Sequence, residues 1–81
     1  MTAWIQVGLK PTVLDPQGQA IQAALRKLGF GAVAGVRQAK VFQVEMAPGA
    51  DPAEAKRQIE RAAREVLANP VIEEFSIRWE E

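Results

Sequence analysis

The side chains that most enzymes use for proton transfer and nucleophilic attack are scarce in this sequence. It contains no histidine, cysteine or tyrosine, which removes the commonest general base, the thiol nucleophile and the phenolic acid. The single serine, Ser76, lies in a predicted strand with no histidine to activate it. The neighbours Glu73–Glu74 and Glu80–Glu81 alternate between strand faces, so neither pair forms an acid–base couple or a metal clamp. We expect no catalytic residue, no metal site and no cofactor bound by this chain.

Two residues favour a binding role instead. Trp4 belongs to the polar register of the first predicted strand, where an indole commonly anchors protein contacts; a Trp folded over the sheet edge is the alternative. Gly18 lies in the first turn of a predicted helix, where glycine costs roughly 1 kcal/mol relative to alanine. We expect a neighbouring chain to approach the bare backbone there. Arg37, Lys40 and Arg78 are candidate anion ligands, although isolated surface cations are usually solvated.

The length and composition favour one small domain, residues 1–81, that associates with other chains. A domain of 81 residues buries only about 60–65% of the surface of its unfolded chain. Neither a disulfide nor a Cys/His zinc site can stabilise it, because the sequence has no cysteine and no histidine. The hydrophobic share is 48%, but much of it is alanine, which fills little volume. We expect an oligomer, because association buries more apolar area.

Charge and hydropathy argue against nucleic-acid and membrane partners. Ten Lys and Arg residues balance ten Asp and Glu residues, so no net charge draws the chain toward nucleic acid or an anionic membrane. No apolar stretch approaches the roughly 20 residues of a bilayer span. The N-terminus lacks the basic start and apolar run of a signal peptide. We expect a cytoplasmic protein.

The elements that must position these residues begin with a strand and a capped helix. Apolar and polar residues alternate over residues 3–10, as in a half-buried strand. Asp15 and Pro16 are typical of the N-cap and first position of a helix, and apolar residues at helical spacing continue to Leu28. Gly29 occupies the position of a left-handed C-terminal cap. The segment "GFGAVAG" that begins there lacks the phosphate-loop spacings and is interpreted as a cap plus loop.

Residues 36–47 predict a long second strand whose apolar register changes. Val41 lies on one face, whereas Phe42 and Val44 alternate onto the other. Since no hairpin-forming residue interrupts the run, we expect a bulge or bend at Val41–Phe42; a continuous strand buried on both faces is the alternative. Apolar groups on both faces favour a contribution of this strand to a homo-oligomer.

The second half of the sequence predicts a charged amphipathic helix and a third strand. Asp51 and Pro52 begin the helix, which runs to about Ala68 with its apolar positions, Val66 among them, on the core side. Its outer face carries three pairs of opposite charges four residues apart, which stabilise a helix weakly. The proline of "ANP" ends the helix, and residues 71–80 alternate as a strand.

The resulting element order is β-α-β-α-β. Two helices are too few to cover both faces of a parallel sheet. We therefore expect an α+β two-layer sandwich with two helices on one face of an antiparallel or mixed sheet. This order resembles the split β-α-β, ferredoxin-like arrangement.

Four blocks of sequence resemble the PurS family, the small subunit of phosphoribosylformylglycinamidine (FGAM) synthase in bacteria and archaea. They are "VLDPQGQAI" at 13–21, "LGF" at 28–30, "GVR" at 35–37 followed by Lys40, and "LANPVIEEF" at 67–75. Their order and spacing span nearly the whole chain, and "VLDPQG" and "LANPVIE" are specific together. Ala39 departs from the pattern, because the family is expected often to carry glycine before that lysine.

The resemblance implies a non-catalytic role in purine biosynthesis. PurS-like proteins join a large synthetase subunit, PurL, and a glutaminase subunit, PurQ. The complex converts formylglycinamide ribonucleotide, ATP and glutamine to formylglycinamidine ribonucleotide, ADP, phosphate and glutamate. The small subunit is implied to be a dimer or tetramer that bridges the two partners and assists ammonia transfer, while ATP and magnesium bind elsewhere in the complex.

Candidate contact residues lie at the first strand, the start of the first helix, the second strand and the turn after the second helix. They are Trp4, Asp15, Gln17, Gly18, Arg37, Lys40, Val41, Phe42 and Asn69. The alternative function is an ACT-like small-molecule regulatory domain, which would bind a metabolite between subunits through a glycine-rich loop such as "GFGAVAG".

Overall fold

A three-stranded antiparallel sheet forms the centre of the structure. The computed structural model describes all 81 residues. Strand β1 (Thr2–Leu9) is the middle strand and is flanked by β2 (Ala39–Glu45) and β3 (Glu73–Glu80). Both outer strands run antiparallel to β1 and are therefore parallel to each other.

The two helices make different kinds of connection. Helix α1 (Pro16–Lys27) connects β1 to β2, and helix α2 (Pro52–Ala62) connects β2 to β3 across β1. Because β2 and β3 are parallel and separated by one strand, β2–α2–β3 forms the split β-α-β unit. The predicted α+β class, the element order and the antiparallel sheet are confirmed. Neither helix has the length and apolar character that a bilayer span requires.

The core lies between β1 and the α2 side of the molecule. Ala3, Ile5 and Val7 alternate along β1 and are fully buried, since successive side chains of a strand point to opposite faces. They share one cluster with buried Ile59 and Ala63. Half-buried apolar side chains of the outer strands pack around this cluster: Phe42, Val44, Phe75, Ile77 and Trp79.

A π-helical turn, Ala63–Leu67, follows α2 and changes which residues face the sheet. The amide of Ala68 donates to the carbonyl of Ala63, five residues earlier, at 2.9 Å, which makes this turn wider than an α-helical one. Leu67 and Ala68 consequently face the core. Val66, predicted on the core side, is 77% exposed. That prediction is wrong because it assumed a regular α-helix.

The predicted start of α2 is confirmed. The Asp51 carboxylate accepts a hydrogen bond from the Glu54 amide at 3.1 Å, and Pro52 follows the cap. On the exposed face of the helix, two of the three predicted ion pairs form: Arg61–Glu65 at 2.8 Å and Arg64–Glu60 at 3.0 Å.

Strand β2 is shorter than predicted and has no bulge. Each of its residues pairs with a successive residue of β1, so the bulge expected at Val41–Phe42 is absent. The two apolar neighbours occupy opposite faces of a regular strand. Phe42 packs against the core, whereas Val41 is 56% exposed on the other face.

Helix α1 belongs to an arm, residues 10–38, that extends beyond the end of the sheet. The arm leaves the end of β1 and returns to the start of β2, and these two strand ends are paired neighbours. No residue of α1 belongs to the core cluster. The expectation of two helices on one face of the sheet is therefore wrong: only α2 covers that face, because the arm carries α1 past the end of the sheet. The molecule measures 51 × 27 × 13 Å with a radius of gyration of 16.3 Å, against about 12 Å for a compact chain of this length. We refer to residues 1–9 and 39–81 as the body.

Candidate functional site

Asp15 fastens the start of α1 to the segment before β2. The residue is only 5% exposed, and its carboxylate oxygens accept hydrogen bonds from the amides of Gly18, at 2.9 Å, and Gln38, at 2.8 Å. The first bond is the N-cap interaction that the sequence predicts. The second joins residues 23 positions apart and closes the base of the arm.

The same contacts set the charge state of Asp15. The donated backbone hydrogen bonds of Gln38 and then Gly18 hold the pKa of its carboxyl below the ordinary value of 3.8. Burial acts in the opposite direction, while the positive charge of Arg37 lowers the pKa further. The base of the arm therefore stabilises the charged carboxylate.

Gly18 is buried where the returning chain crosses α1. A Cβ atom at this position would lie 2.5 Å from the carbonyl oxygen of Val36 and 2.6 Å from a carboxylate oxygen of Asp15. Such distances are too short for a methyl group, so glycine is required. The close approach that we expected from a neighbouring chain is made by this chain's own backbone, which corrects that expectation.

Two side chains of α1 hold the returning segment along the helix. The side-chain oxygen of Gln22 accepts a hydrogen bond from the Val36 amide at 3.2 Å. One turn further, the Arg26 guanidinium donates to the carbonyl of Ala34 at 3.3 Å. The arm is thus stabilised by polar contacts to backbone groups rather than by an apolar core.

The basic residues at the base of the arm are engaged within the chain. Arg37 donates to the carbonyls of Leu9, at 3.3 Å, and Lys10, at 2.9 Å, where the arm leaves β1. The ammonium of Lys40 lies 4.0 Å from the carboxylate of Glu73. Arg37 thus ties the returning chain to the end of β1, while Lys40 faces a carboxylate, so neither residue is an isolated cation.

The face of the sheet opposite α2, which we call the open face, is not covered by any helix. It consists of alternate residues of the three strands: Thr2, Trp4, Gln6 and Gly8 on β1, Ala39, Val41, Gln43 and Glu45 on β2, and Glu74, Ser76, Arg78 and Glu80 on β3.

Trp4 is the largest side chain of the open face, and its position on this polar register is as predicted. It lies on the central strand, so the alternative of a Trp at the sheet edge is wrong. The guanidinium of Arg78 lies 5.6 Å from the centre of its ring. The indole Nε1 is buried without an acceptor, which typically costs about 1–3 kcal/mol. The single chain therefore leaves Trp4 incompletely satisfied.

The arm exposes most of its apolar side chains. Ile21 is 44% exposed, Leu28 is 74% exposed and Phe30 is 54% exposed. Only Asp15 and Gly18, both at the base, are buried. Because helices of about 12 residues are marginal in water on their own, α1 depends on the polar contacts that hold the returning segment against it, and its apolar side chains stay uncovered.

Charge is divided between the arm and the body. The arm carries four Lys or Arg residues and one Asp, a net charge of +3. The body carries six Lys or Arg residues and nine Asp or Glu residues, a net charge of −3. The balanced total thus conceals two regions of opposite sign, which favours contact between the arm of one molecule and the body of another.

With this geometry established, comparison with known proteins identifies the family. A family model described as "PurS: Phosphoribosylformylglycinamidine (FGAM) synthase" matches residues 2–81. The chain belongs to the PurS family.

PurS proteins with similar sequences and structures span the chain from end to end. The PurS subunit of FGAM synthase from Archaeoglobus fulgidus is 42% identical over 100% of both chains. The crystal structure of PurS from Methanocaldococcus jannaschii has a TM-score of 0.83 at 35% identity and covers 95% of this chain and 92% of that chain. A chain in the structure of PurLQS from Thermotoga maritima has a TM-score of 0.76 at 29% identity, with 95% and 93% covered.

The candidate contact residues of this PurS-family chain fall into four places. Trp4 and Val41 lie on the open face, Phe42 lies on the core face, and Asn69 lies in the turn before β3. The base of the arm gathers five others: Asp15, Gln17, Gly18, Arg37 and Lys40. Apart from Gly18, whose close neighbours belong to the same chain, their role in contacts between chains stays a prediction.

Asn69 has a local role that accounts for its position. Its side-chain oxygen accepts a hydrogen bond from the Val71 amide at 3.0 Å, which is an Asx turn. Its own amide donates to the Glu73 carboxylate at 2.7 Å. These bonds lead the chain from the π-helical turn into β3.

Three residues at the base of the arm were not anticipated from the sequence. Gln22 lies four residues after Gly18 and hence on the same side of α1. That spacing could have indicated that Gln22 also contacts the returning segment. Gln38 contributes a backbone amide, for which no sequence pattern exists. The contact of Glu73 with Lys40 depends on the order of the strands.

The arrangement is suited to binding rather than to bond-breaking chemistry. Ser76 lies opposite Gln6 on the open face, with no base in the sequence to activate it. No three carboxylate side chains lie together as metal ligands would. Two surfaces remain uncovered in a single chain: the exposed apolar side chains of the arm, and the open face with Trp4.

Proposed function

We propose that this chain is a non-catalytic assembly subunit of phosphoribosylformylglycinamidine synthase. It bridges the synthetase subunit PurL and the glutaminase subunit PurQ and assists the transfer of ammonia between them. The complex makes formylglycinamidine ribonucleotide, ADP, phosphate and glutamate from formylglycinamide ribonucleotide, ATP and glutamine. In this proposal ATP and magnesium bind to the partner subunits, this chain binds no cofactor, and the complex works in the cytoplasm.

The observation that carries the proposal is the arm of a PurS-family chain, whose apolar side chains remain exposed while hydrogen bonds close its base. An element of this kind presents a preformed binding surface. The contacts of Asp15, Gly18 and Gln22 order the arm before a partner arrives, so binding costs less conformational entropy. The PurLQS structure containing a similar chain supports PurL and PurQ as partners.

Self-association is part of the proposal. The arm is positive and the body is negative, and one helix covers a core face on which Phe42, Val44 and Trp79 are only half-buried. A second copy whose arm lies on that face would cover both the arm and the exposed part of the sheet. The same exchange in both directions gives a closed dimer.

Reconstitution of the three subunits tests the bridging role. FGAM formation from glutamine should require this chain together with PurL and PurQ, and the isolated chain should show no synthetase, glutaminase or ATPase activity. Leu28→Asp in the arm should prevent assembly, whereas Val66→Asp should not, although the two side chains are similarly exposed at 74% and 77%. Glutamine hydrolysis by the isolated chain, or full activity without it, would overturn the proposal.

Titration with metabolites tests the alternative of an ACT-like regulatory domain. A regulatory domain binds its metabolite without other subunits, whereas an assembly subunit does not. Saturable binding of an amino acid or nucleotide by the isolated chain would favour the alternative.

A further inference from the structure

The contacts inside the arm bind its two segments firmly together. The buried carboxylate of Asp15 accepts hydrogen bonds from the amides of Gly18 and Gln38. Hydrogen bonds to a charged acceptor are stronger than those between neutral groups. The carbonyl of Val36 lies so close to Gly18 that no side chain would fit between the helix and the returning segment. Helix α1 and the returning segment therefore form one unit.

The hydrogen bonds between the arm and the body are of a weaker kind. The amide of Lys10 donates to the Ile72 carbonyl at 2.9 Å, and its ammonium donates to the Pro70 carbonyl at 2.8 Å. Arg37 adds a bond to the Leu9 carbonyl at 3.3 Å. Both side-chain bonds are exposed to solvent, and no apolar residue of the arm belongs to the core cluster. Contacts of this kind open at low free-energy cost.

The chain passes between the body and the arm at two neighbouring points. It leaves β1 at Leu9–Lys10 and enters β2 at Gln38–Ala39. These points lie side by side, because Gly8 is paired with Ala39. Hinges in proteins are a few residues at the ends of elements, and two adjacent hinge points define one axis. Here the axis runs across the end of the sheet, so bending moves the arm out of the plane of the sheet.

We propose that the arm rotates as a rigid body about this axis, and that Lys10 holds it in the direction that the structure shows. Helix α1 has 12 residues and is about 18 Å long, so a rotation of about 20° moves its far end by roughly 6 Å. The rotation redirects the exposed apolar side chains of the arm without changing their arrangement. The inference goes beyond the assembly role and does not depend on which chain the arm contacts.

Distances between spin labels measure the rotation in a chain that has no cysteine. Lys27→Cys with Val66→Cys joins the far end of α1 to the body, whereas Gln19→Cys with Ala34→Cys lies within the arm; all four positions are exposed. Each labelled chain is diluted into an excess of unlabelled chain, so that only distances within one molecule contribute. The arm-to-body distribution should be broader than the distribution within the arm.

Lys10→Ala in both labelled chains tests the role of Lys10. Removal of the side chain should shift the mean arm-to-body distance by several Å or broaden its distribution, and should leave the distance within the arm unchanged. Lys56→Ala, which truncates an exposed lysine of α2, is the matched control and should alter neither distance. Melting curves check that each variant is folded.

Amide hydrogen exchange separates a rigid rotation from unfolding of the arm. In Lys10→Ala the amide at position 10 should exchange faster by about fivefold or more, because a hydrogen bond that holds the junction closed is lost. The Gly18 and Val36 amides should keep their protection. Faster exchange of these two amides together with position 10 would show that the arm unfolds. An arm-to-body distance that Lys10→Ala leaves unchanged would show that other contacts hold the junction. Either result would overturn the inference and leave the synthase role intact.

Discussion

The body and the arm are similarly rich in apolar residues, 26 of 52 and 13 of 29, but every buried hydrophobic side chain lies in the body. In the body, α2 crosses β1 and faces it, so two apolar surfaces meet. In the arm, the chain leaves and re-enters the sheet at the same end and meets only itself. Connection geometry, rather than composition, thus decides which apolar residues a single chain can bury.

Truncating one isoleucine in each region gives the largest expected difference. Ile5 is fully buried, so Ile5→Ala should lower the free energy of unfolding by about 2–5 kcal/mol. Ile21 is 44% exposed, and Ile21→Ala should cost less than about 1 kcal/mol in dilute solution. Urea unfolding measures both. Equal losses at low protein concentration would show that the arm is already packed, whereas a cost for Ile21 that grows with concentration locates it in an interface.

Two glycines of the arm offer a finer comparison. Gly18→Ala should destabilise the base of the arm by about 1–3 kcal/mol, because the methyl group collides with backbone at Val36. Gly31 has nothing within 4 Å of its would-be Cβ and no positive φ, so Gly31→Ala should be neutral or stabilising by about 0.4–1 kcal/mol. Amide hydrogen exchange of Val36 reports the first effect directly. Unchanged protection of the Val36 amide in Gly18→Ala would mean that the backbone at Val36 can move away from α1 to make room for the methyl group.

Acid should loosen the arm before it affects the core of the body. The folded-state pKa of Asp15 lies below 3.8, so its stabilising contribution is fully present above that pH. It is lost as the pH falls through the lowered pKa. Exchange of the Gly18 and Gln38 amides, corrected for intrinsic rates, should therefore accelerate relative to the Ile5 amide below about pH 4. Asp15→Asn should remove this pH dependence; the same profile in that variant would assign it to another carboxyl group.

The same contrast explains how far the sequence could be interpreted. Alternation and capping residues predict all five elements, since Asp15, Asp51 and Gly29 act locally and adopt the expected geometry. The partner of Gly18 could not be inferred, because the approach of Val36 depends on the path of an irregular segment. Periodicity identified an apolar stripe on α1 without revealing that the chain leaves most of it exposed.

The smallest expected effect tests the one place where periodicity fails inside the body. Regular helical spacing puts Val66 on the core side, but the π-helical turn rotates it outward and brings Ala68 inward. Val66→Lys should therefore change the free energy of unfolding by no more than about 0.5 kcal/mol. Ile59→Lys, one element earlier on the buried side, should unfold the body, because it buries an unpaired charge. Chemical denaturation of the two variants shows whether Val66 faces solvent, as in the π-helical turn, or faces the core, as in a regular α-helix. A large loss of stability in Val66→Lys that is independent of protein concentration would indicate a regular α-helix. A loss of stability seen only at high protein concentration would place Val66 in a contact between chains.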